Sequence, residues 1–267
     1  MDTPTILGCR EKLDRAAEAS EEMGREWHEW VDSNPYPSRI QVDREAGRYC
    51  VYFDFGAVAV PMRFAVLMGE IAHDMRSALD HLVWRETVER LGIEQAEKRH
   101  TKITFPITRS RVKFNASVVK SYVSDDAWAI IERYQPYDRG KAKRSKALEL
   151  LHWINRMDKH RFIHDSSVWL GFFNPLRVIE FDPDAGLLEA PLKDDIRNRR
   201  LTRETELACF GFDPAGSDPE VRVAAAPPLN ISLGKAPKYI RSMSISVTVD
   251  EVRKIVDDFA TLVPSDS

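Results

Sequence analysis

The sequence predicts an α+β protein: a helical bundle with an inserted β-hairpin, followed by a C-terminal antiparallel β-rich portion. Three observations predict it. Apolar residues recur at spacings of three and four through residues 3–32, 62–91 and about 145–165. Residues 39–60 alternate with period two, and beyond Asp165 the chain breaks into short β-rich runs separated by polar turns. The predicted division is a bundle over 1–166, with its hairpin at about 39–60, and a β-rich region with a terminal helix over 167–267. With 267 residues, 43% of them hydrophobic, the chain is long enough for a well-buried core.

The first helix runs from Thr3 to about Asp32 on Leu7, Leu13, Ala17, Trp27 and Trp30, and the prolines of SNPYPS stop it. Ile40 and Val42 lead to a turn at Glu45-Ala46-Gly47, and Tyr49, Val51, Phe53 and Phe55 return as the second strand of a hairpin. From Met62 to Leu91 there is no proline, so one long helix is expected, closed by Gly92. Residues 93–110 read as a connector, with Pro106 excluding a central strand from ITFPIT.

The Ser124-Asp125-Asp126 cluster caps a shorter helix that ends at Tyr134-Gln135-Pro136-Tyr137. A basic run, RGKAKRSK at 139–146, leads into the second long helix at about 145–165. Strands are then expected at 168–173, 176–181, 187–190, 204–212, 221–225, 231–233 and 240–247, with 196–203 an exposed loop. A capping-box pattern, Thr248 to Glu251, opens the last helix.

The formal net charge of −3 exerts no global pull toward nucleic acid or anionic lipid, so any anion binding must be local. Cys9, Cys50 and Cys209 are odd in number and widely spaced, which suits reduced thiols and predicts no disulfide. The N-terminal stretch lacks a basic segment followed by an apolar core, and no run of about eighteen apolar residues occurs. A cytoplasmic protein without membrane contact is expected.

Five of the seven histidines fall in two predicted helices, EIAHDMRSALDHLVW (His73, His81) and LLHWINRMDKHRFIH (His152, His160, His164). Imidazole beside carboxylate or guanidinium is the material of proton transfer, metal ligation and phosphate chemistry. At about 100° per residue, Glu70, His73, Ser77 and His81 share one face, opposite the apolar stripe of the same helix. Arg76 lies at the margin of that face, in position to pair Asp80 at i,i+4. On the second helix Asp158, Arg161 and His164 project onto the apolar stripe, with His160 at its edge. Buried charge must be paired, so Asp158 and Arg161 are expected to meet each other or Arg76, His81 and His73.

Arg76-Ser-Ala-Leu-Asp-His81 resembles the R-x4-H pattern of HEPN-domain ribonucleases, and the helical stretch 62–165 is similar to their bundles. The resemblance implies a metal-independent endoribonuclease of bacterial toxin or phage-defence type, without cofactor. In it Arg76 and His81 would be catalytic, with Asp158, Arg161, His160 and His73 supporting them. It also implies RNA as substrate, a homodimer that brings the pair together, and an antitoxin or other protein partner. Ser77 departs from the pattern, since the position after the Arg is often Asn, Asp or His in that family. The string HDMRSALDHLVW with DKHR downstream is also similar to a set of bacterial proteins of unassigned function, which supports pairing the two segments.

Two other readings stand beside this one. In the first, the Arg/His/Asp groups are a structural network in a non-catalytic helical dimerisation or binding module. In the second, Glu70-x-x-His73 has the i,i+3 spacing by which bundles project ligands, and with His160 and His164 it would bind metal for a hydrolase.

Overall fold

The computed structural model describes residues 4–33, 35–137, 146–160, 166–170, 179–181, 188–189, 200–201, 203–211, 221–223, 229–233 and 245–262. The protein is α+β. Helix α1 (Pro4–Asp32) buries Ile6, Cys9, Leu13, Ala16, Met23, Trp27 and Val31, the three-and-four spacing of an amphipathic helix. Strands β1 (Ser38–Asp43) and β2 (Arg48–Asp54) form the expected hairpin, in register from Ser38–Phe53 to Asp43–Arg48. Its turn contains Gly47 at φ 58°, a conformation that favours glycine. Helix α2 (Met62–Leu91) stops at Gly92, φ 79°, where the chain turns out of the helix.

The connector is more helical than its charge pattern suggests. It contains α3 (Ile93–Glu97) and a 3-10 turn at His100–Lys102, and beyond it follow α4 (Arg111–Asn115) and a second 3-10 turn at Val118–Ser121. Residues 103–108 are neither helical nor paired with a strand among the described residues. Helix α5 (Asp125–Arg133) is capped as expected: the Ser124 hydroxyl oxygen accepts from the Ala127 N–H at 3.2 Å. Helix α6 spans Ala147–His160, inside the 145–165 expected, and residues 161–165 lie outside the described residues. Arg161, His164 and basic-run residues 139–145 lie outside the described residues, as do the side chains of Lys159 and His160.

The β-rich part contains β3 (Ser166–Leu170), β4 (Ile179–Phe181), β5 (Leu188–Glu189), β6 (Arg200–Leu201), β7 (Glu204–Gly211), β8 (Val221–Val223) and β9 (Leu229–Leu233). Among the described residues all pairings are antiparallel, in sheets ordered β1-β2-β7-β5, β6-β3-β9 and β4-β8. Part of the expected loop at 196–203 is therefore a strand, Arg200 and Leu201 pairing with Trp169 and Val168. Helix α7 (Ile245–Ala260) corrects another expectation, because Ile245–Val247 are helical and Thr248 is a buried helical residue rather than a cap. The β-branched run suggested a strand. The spacing of Thr248, Val249, Val252, Ile255, Val256 and Phe259 gives one buried helical face, and packing of that face overrides local propensity.

The chain separates into two compact units that are not sequential. The helical unit comprises residues 1–23, 65–163 and 236–267, and the β unit comprises 24–64 and 164–235. The hairpin, expected with the bundle, falls in the β unit, and the last helix, expected with the β-rich region, falls in the helical unit. β2 pairs with β7 and joins the hairpin to the β unit, while α7 packs with α5 and α6. The helical core centres on Leu13, Ile71, Met75, Leu79, Leu82, Ile131 and Phe259, all fully buried. Each such side chain contributes about 1.5–3 kcal/mol relative to leaving it in water.

In the β unit, Tyr49, Val51, Phe53 and Phe55 turn inward, and Trp27, Trp30, Tyr36, Phe55 and Phe64 form a cluster of tilted and edge-on rings. Burial there pushes the Tyr36 hydroxyl up to about 12. Cys50 and Cys209 face each other across β2 and β7 and form a disulfide, which overturns the expectation of three free thiols. The pairing depends on strand register between residues 159 apart, which cysteine spacing alone does not reveal.

Candidate functional site

Helix α2 presents Glu70, His73 and His81 to solvent on one face, with Ser77 half-buried between them. Arg76 turns away from bulk water, its side chain 11% exposed. Its Nε donates to Asp80 Oδ2 at 3.1 Å, and its Nη2 donates to the Phe105 carbonyl at 2.8 Å. The Phe105 N–H donates in turn to Asp80 Oδ1 at 2.7 Å. Arg76 and Asp80 therefore satisfy both backbone groups of one residue in the extended segment, as a neighbouring strand would.

Gln135 continues that work. Its Nε2 donates to the Pro106 carbonyl at 2.7 Å, and its Oε1 accepts from the Thr108 N–H at 3.0 Å. The segment after α3 can stay extended outside any sheet because side chains of α2 and Gln135 replace the missing ladder. The i,i+4 pairing of Arg76 and Asp80 was legible in the sequence; its backbone target was not.

The segment leads directly to Arg109, which forms an ion pair with Glu149 in the first turn of α6. Glu149, His152 and Arg156 follow at i, i+3 and i+7 and so lie on one stripe of that helix. The His152 pKa is lowered, first by burial, then by the positive charges of Arg76, Arg156 and Arg109. The guanidinium that sequence reasoning assigned to His81 is thus an electrostatic neighbour of His152. His152 was visible in the second histidine stretch but received no role, because its position off the apolar stripe gave no reason to single it out.

His81 has different neighbours. Its pKa is also lowered, by burial first and by Lys12 of α1 second, with Asp80 opposing. Asp158 corrects a further expectation. It is exposed rather than inserted in the apolar stripe, and its carboxylate lies against Gly69, where an added Cβ would come within 2.5 Å of Oδ1. Helices α2 and α6 do approach one another, but Asp158 reaches them at Gly69, one turn before His73. Arg161 lies outside the described residues, so its expected partnership with Asp158 does too.

Of the alternative metal set, Glu70 and His73 are exposed on α2, while the His160 side chain and His164 lie outside the described residues. Glu70 contributes to the electrostatic surroundings of Arg15, whose guanidinium forks onto the buried carboxylate of Asp74 through Nε–Oδ2 at 2.7 Å and a second bond to Oδ1. Among the described residues, the ligand-type side chains that converge are Cys50, Glu206 and Cys209, in the β unit.

Sequence reasoning also missed a buried polar network at the end of α2. Arg85, Glu86 and Thr87 are all buried; Arg85 Nη2 donates to Glu86 Oε1 at 2.6 Å, and Ser124 Oγ donates to Glu86 Oε2 at 2.9 Å. The signal was three consecutive polar residues, Arg85-Glu86-Thr87, which at about 100° per residue span too wide an arc for one exposed face. Cys9 sits near Arg85 with its thiol pushed up to about 11 by burial, which makes it an inert core residue.

No helix among the described residues is long and apolar enough to cross a membrane. No family model matches the chain, and no curated protein and no solved structure is found to be similar to it.

Proposed function

We propose that the helical unit binds RNA through its phosphates and cleaves it without a metal, as a HEPN-like endoribonuclease of toxin or phage-defence type. The observation that carries this reading is the α6 stripe of Glu149, His152 and Arg156, joined by Arg109 through its ion pair with Glu149, where burial and the positive charges of Arg76, Arg156 and Arg109 lower the His152 pKa. A neutral imidazole can accept the proton of an attacking 2′-hydroxyl, and guanidiniums placed beforehand stabilise the charge that develops on phosphorus. Arg76 is fixed for that role by Asp80 and the Phe105 carbonyl. His81, exposed five residues along the same helix, is the second imidazole for proton transfer that another protomer would contribute, so a homodimer belongs to the proposal. An antitoxin or other partner belongs to it through the resemblance alone.

The test is incubation of the purified protein with mixed RNA, with and without EDTA, repeated with Arg76→Ala, His81→Ala and His152→Ala. Cleavage should resist EDTA and fall by about a hundredfold or more in the His152 variant, the range of general acid–base contributions. EDTA-sensitive cleavage, or undiminished cleavage by His152→Ala, overturns the reading.

One observation favours a second reading. The Arg76–Asp80 clamp on Phe105 is what a structural ion pair in a non-catalytic binding module would look like. In that case no variant cleaves RNA, and Arg76→Ala loses stability instead.

A further inference from the structure

One face of the β2-β7 pair carries a group of ligand-type side chains. Cys50 and Tyr52 are two residues apart on β2 and so share a face. Cys209 is the direct partner of Cys50, and Glu206 is the partner of Tyr52. Glu206 and Cys209 are three residues apart on β7, and in an unbroken strand they would point to opposite faces. The register shifts between Val51, opposite Ala208, and Tyr52, opposite Glu206, leaving Leu207 as an extra residue. That bulge reverses the parity of β7 and brings Glu206 to the side of the two sulfurs. The outcome is measurable: Cys50 Sγ, Cys209 Sγ and a Glu206 carboxylate oxygen all lie within 4.8 Å of one another.

Two further contacts shape the group. The Tyr52 hydroxyl donates to Glu206 Oε2 at 3.0 Å, orienting the carboxylate as an outer-shell partner orients a metal ligand. Arg39 stacks over the Tyr52 ring at 4.1 Å, and its Nε and Nη2 both donate to Glu204. That cation is therefore engaged by a different carboxylate.

We infer that Cys50, Cys209 and Glu206 form a redox-gated site for a thiophilic divalent cation, Zn²⁺ by preference, that is closed while the disulfide stands and open once it is reduced. Reduction by a dithiol breaks the S–S bond with two electrons and two protons, giving two protein thiols and the oxidised disulfide of the reductant. Binding of Zn²⁺ then releases those two protons and forms two Zn–S bonds and one Zn–O bond. Two thiolates and a carboxylate suit zinc, since soft sulfur ligands disfavour magnesium and calcium. Three protein ligands leave a fourth tetrahedral position for water. Reoxidation by a small-molecule disulfide, which takes two electrons from the thiolates and two protons from solution and leaves as thiols, reforms the S–S bond and expels Zn²⁺, because disulfide sulfurs no longer carry the charge that held it.

The experiment uses the full chain, reduced with a phosphine under anaerobic conditions and titrated with Co²⁺ as a spectroscopic stand-in for Zn²⁺. Reduced protein should develop a thiolate-to-cobalt charge-transfer band that saturates at one equivalent and is displaced by Zn²⁺; oxidised protein should develop none. Cys50→Ser should abolish the band and Cys9→Ala should leave it. Tyr52→Phe should weaken binding by about tenfold, the scale of an outer-shell loss.

Glu206→Gln retains both cysteines and tests the third ligand in a protein that can form its disulfide; it should weaken binding more than Tyr52→Phe does. A band of equal strength in oxidised protein, unchanged affinity in Glu206→Gln, or reduced protein that loses its β circular dichroism and takes up no cobalt would each overturn the inference.

Discussion

The two units assemble their polar groups by opposite means. In the helical unit the groups that matter are neighbours on a helix: Arg76 with Asp80 at i,i+4, and Glu149, His152 and Arg156 along one stripe of α6. In the β unit, Cys50 meets Cys209 from 159 residues away, and Glu206 reaches the same face because of a one-residue bulge. The contrast teaches where information about a site resides. Helical periodicity exposes local arrangements to inspection, whereas strand register and its irregularities are properties of the folded pairing.

The largest expected effect tests whether the β unit depends on its long-range tie as the helical unit does not. Replacing both Cys50 and Cys209 with Ala should cost about 2–5 kcal/mol, because the disulfide closes a long loop and constrains the unfolded chain. In urea denaturation followed by near- and far-ultraviolet circular dichroism, the β-unit transition should move to lower denaturant while the helical one stays. Zn²⁺ added to reduced wild-type protein should move it part of the way back. A common shift of both transitions would show that the units do not unfold separately, and would remove the basis of the comparison.

The next effect lies in the helical unit. Asp80→Ala leaves the Phe105 N–H without its acceptor and the shielded Arg76 guanidinium without its carboxylate, at an expected cost of about 1–3 kcal/mol. Because the same clamp holds the segment that carries Arg109, Asp80→Ala should also raise the His152 pKa as that segment loosens, readable by NMR titration. If stability falls and the His152 titration does not move, the clamp and the α6 stripe are separate features, and the site loses its connection to α2.

Much of the fold was legible because it rests on periodicity and on residues with restricted backbones. The ends of α2 at Met62 and Gly92, the hairpin and its turn at Gly47, and the Ser124 cap all follow from such signals. The start of α7 was not legible, since a β-branched run has one local preference and its packed face another. The site was legible only in part. Histidine spacing located both helices, but residues meeting across helices depend on axial offset, which rotation about each axis does not supply.

Asp158 shows this, seated against Gly69 rather than beside Arg76 or His81. Gly69→Ala should therefore destabilise by about 1 kcal/mol in the wild-type background and stabilise by a similar amount in Asp158→Ala, where the alanine gains helix propensity without the clash. Additive effects of the two substitutions would break the proposed approach of α2 to α6.

The smallest effect concerns pH. His81 and His152 both have lowered pKa values in the folded protein, each chiefly through burial, reinforced by Lys12 for the first and by Arg76, Arg156 and Arg109 for the second. In the unfolded chain each titrates near about 6.5. Between that value and the lower folded one, the unfolded state holds more protons, so acid favours unfolding. Their stabilising contribution is complete above about 6.5 and is lost as pH falls from there toward the folded values.

Because both imidazoles are partly open to solvent, the slope should be shallower than the effects of the substitutions above, and His152→Gln should flatten it further. A bound polyanion reverses the sign at His152, since phosphate beside the three guanidiniums offsets their charge and raises the pKa. Short RNA should therefore bind with proton uptake near pH 6, measurable by calorimetry in two buffers of different ionisation enthalpy. Binding without proton uptake would place the RNA elsewhere, and leave His152 as an imidazole held neutral by its structural surroundings.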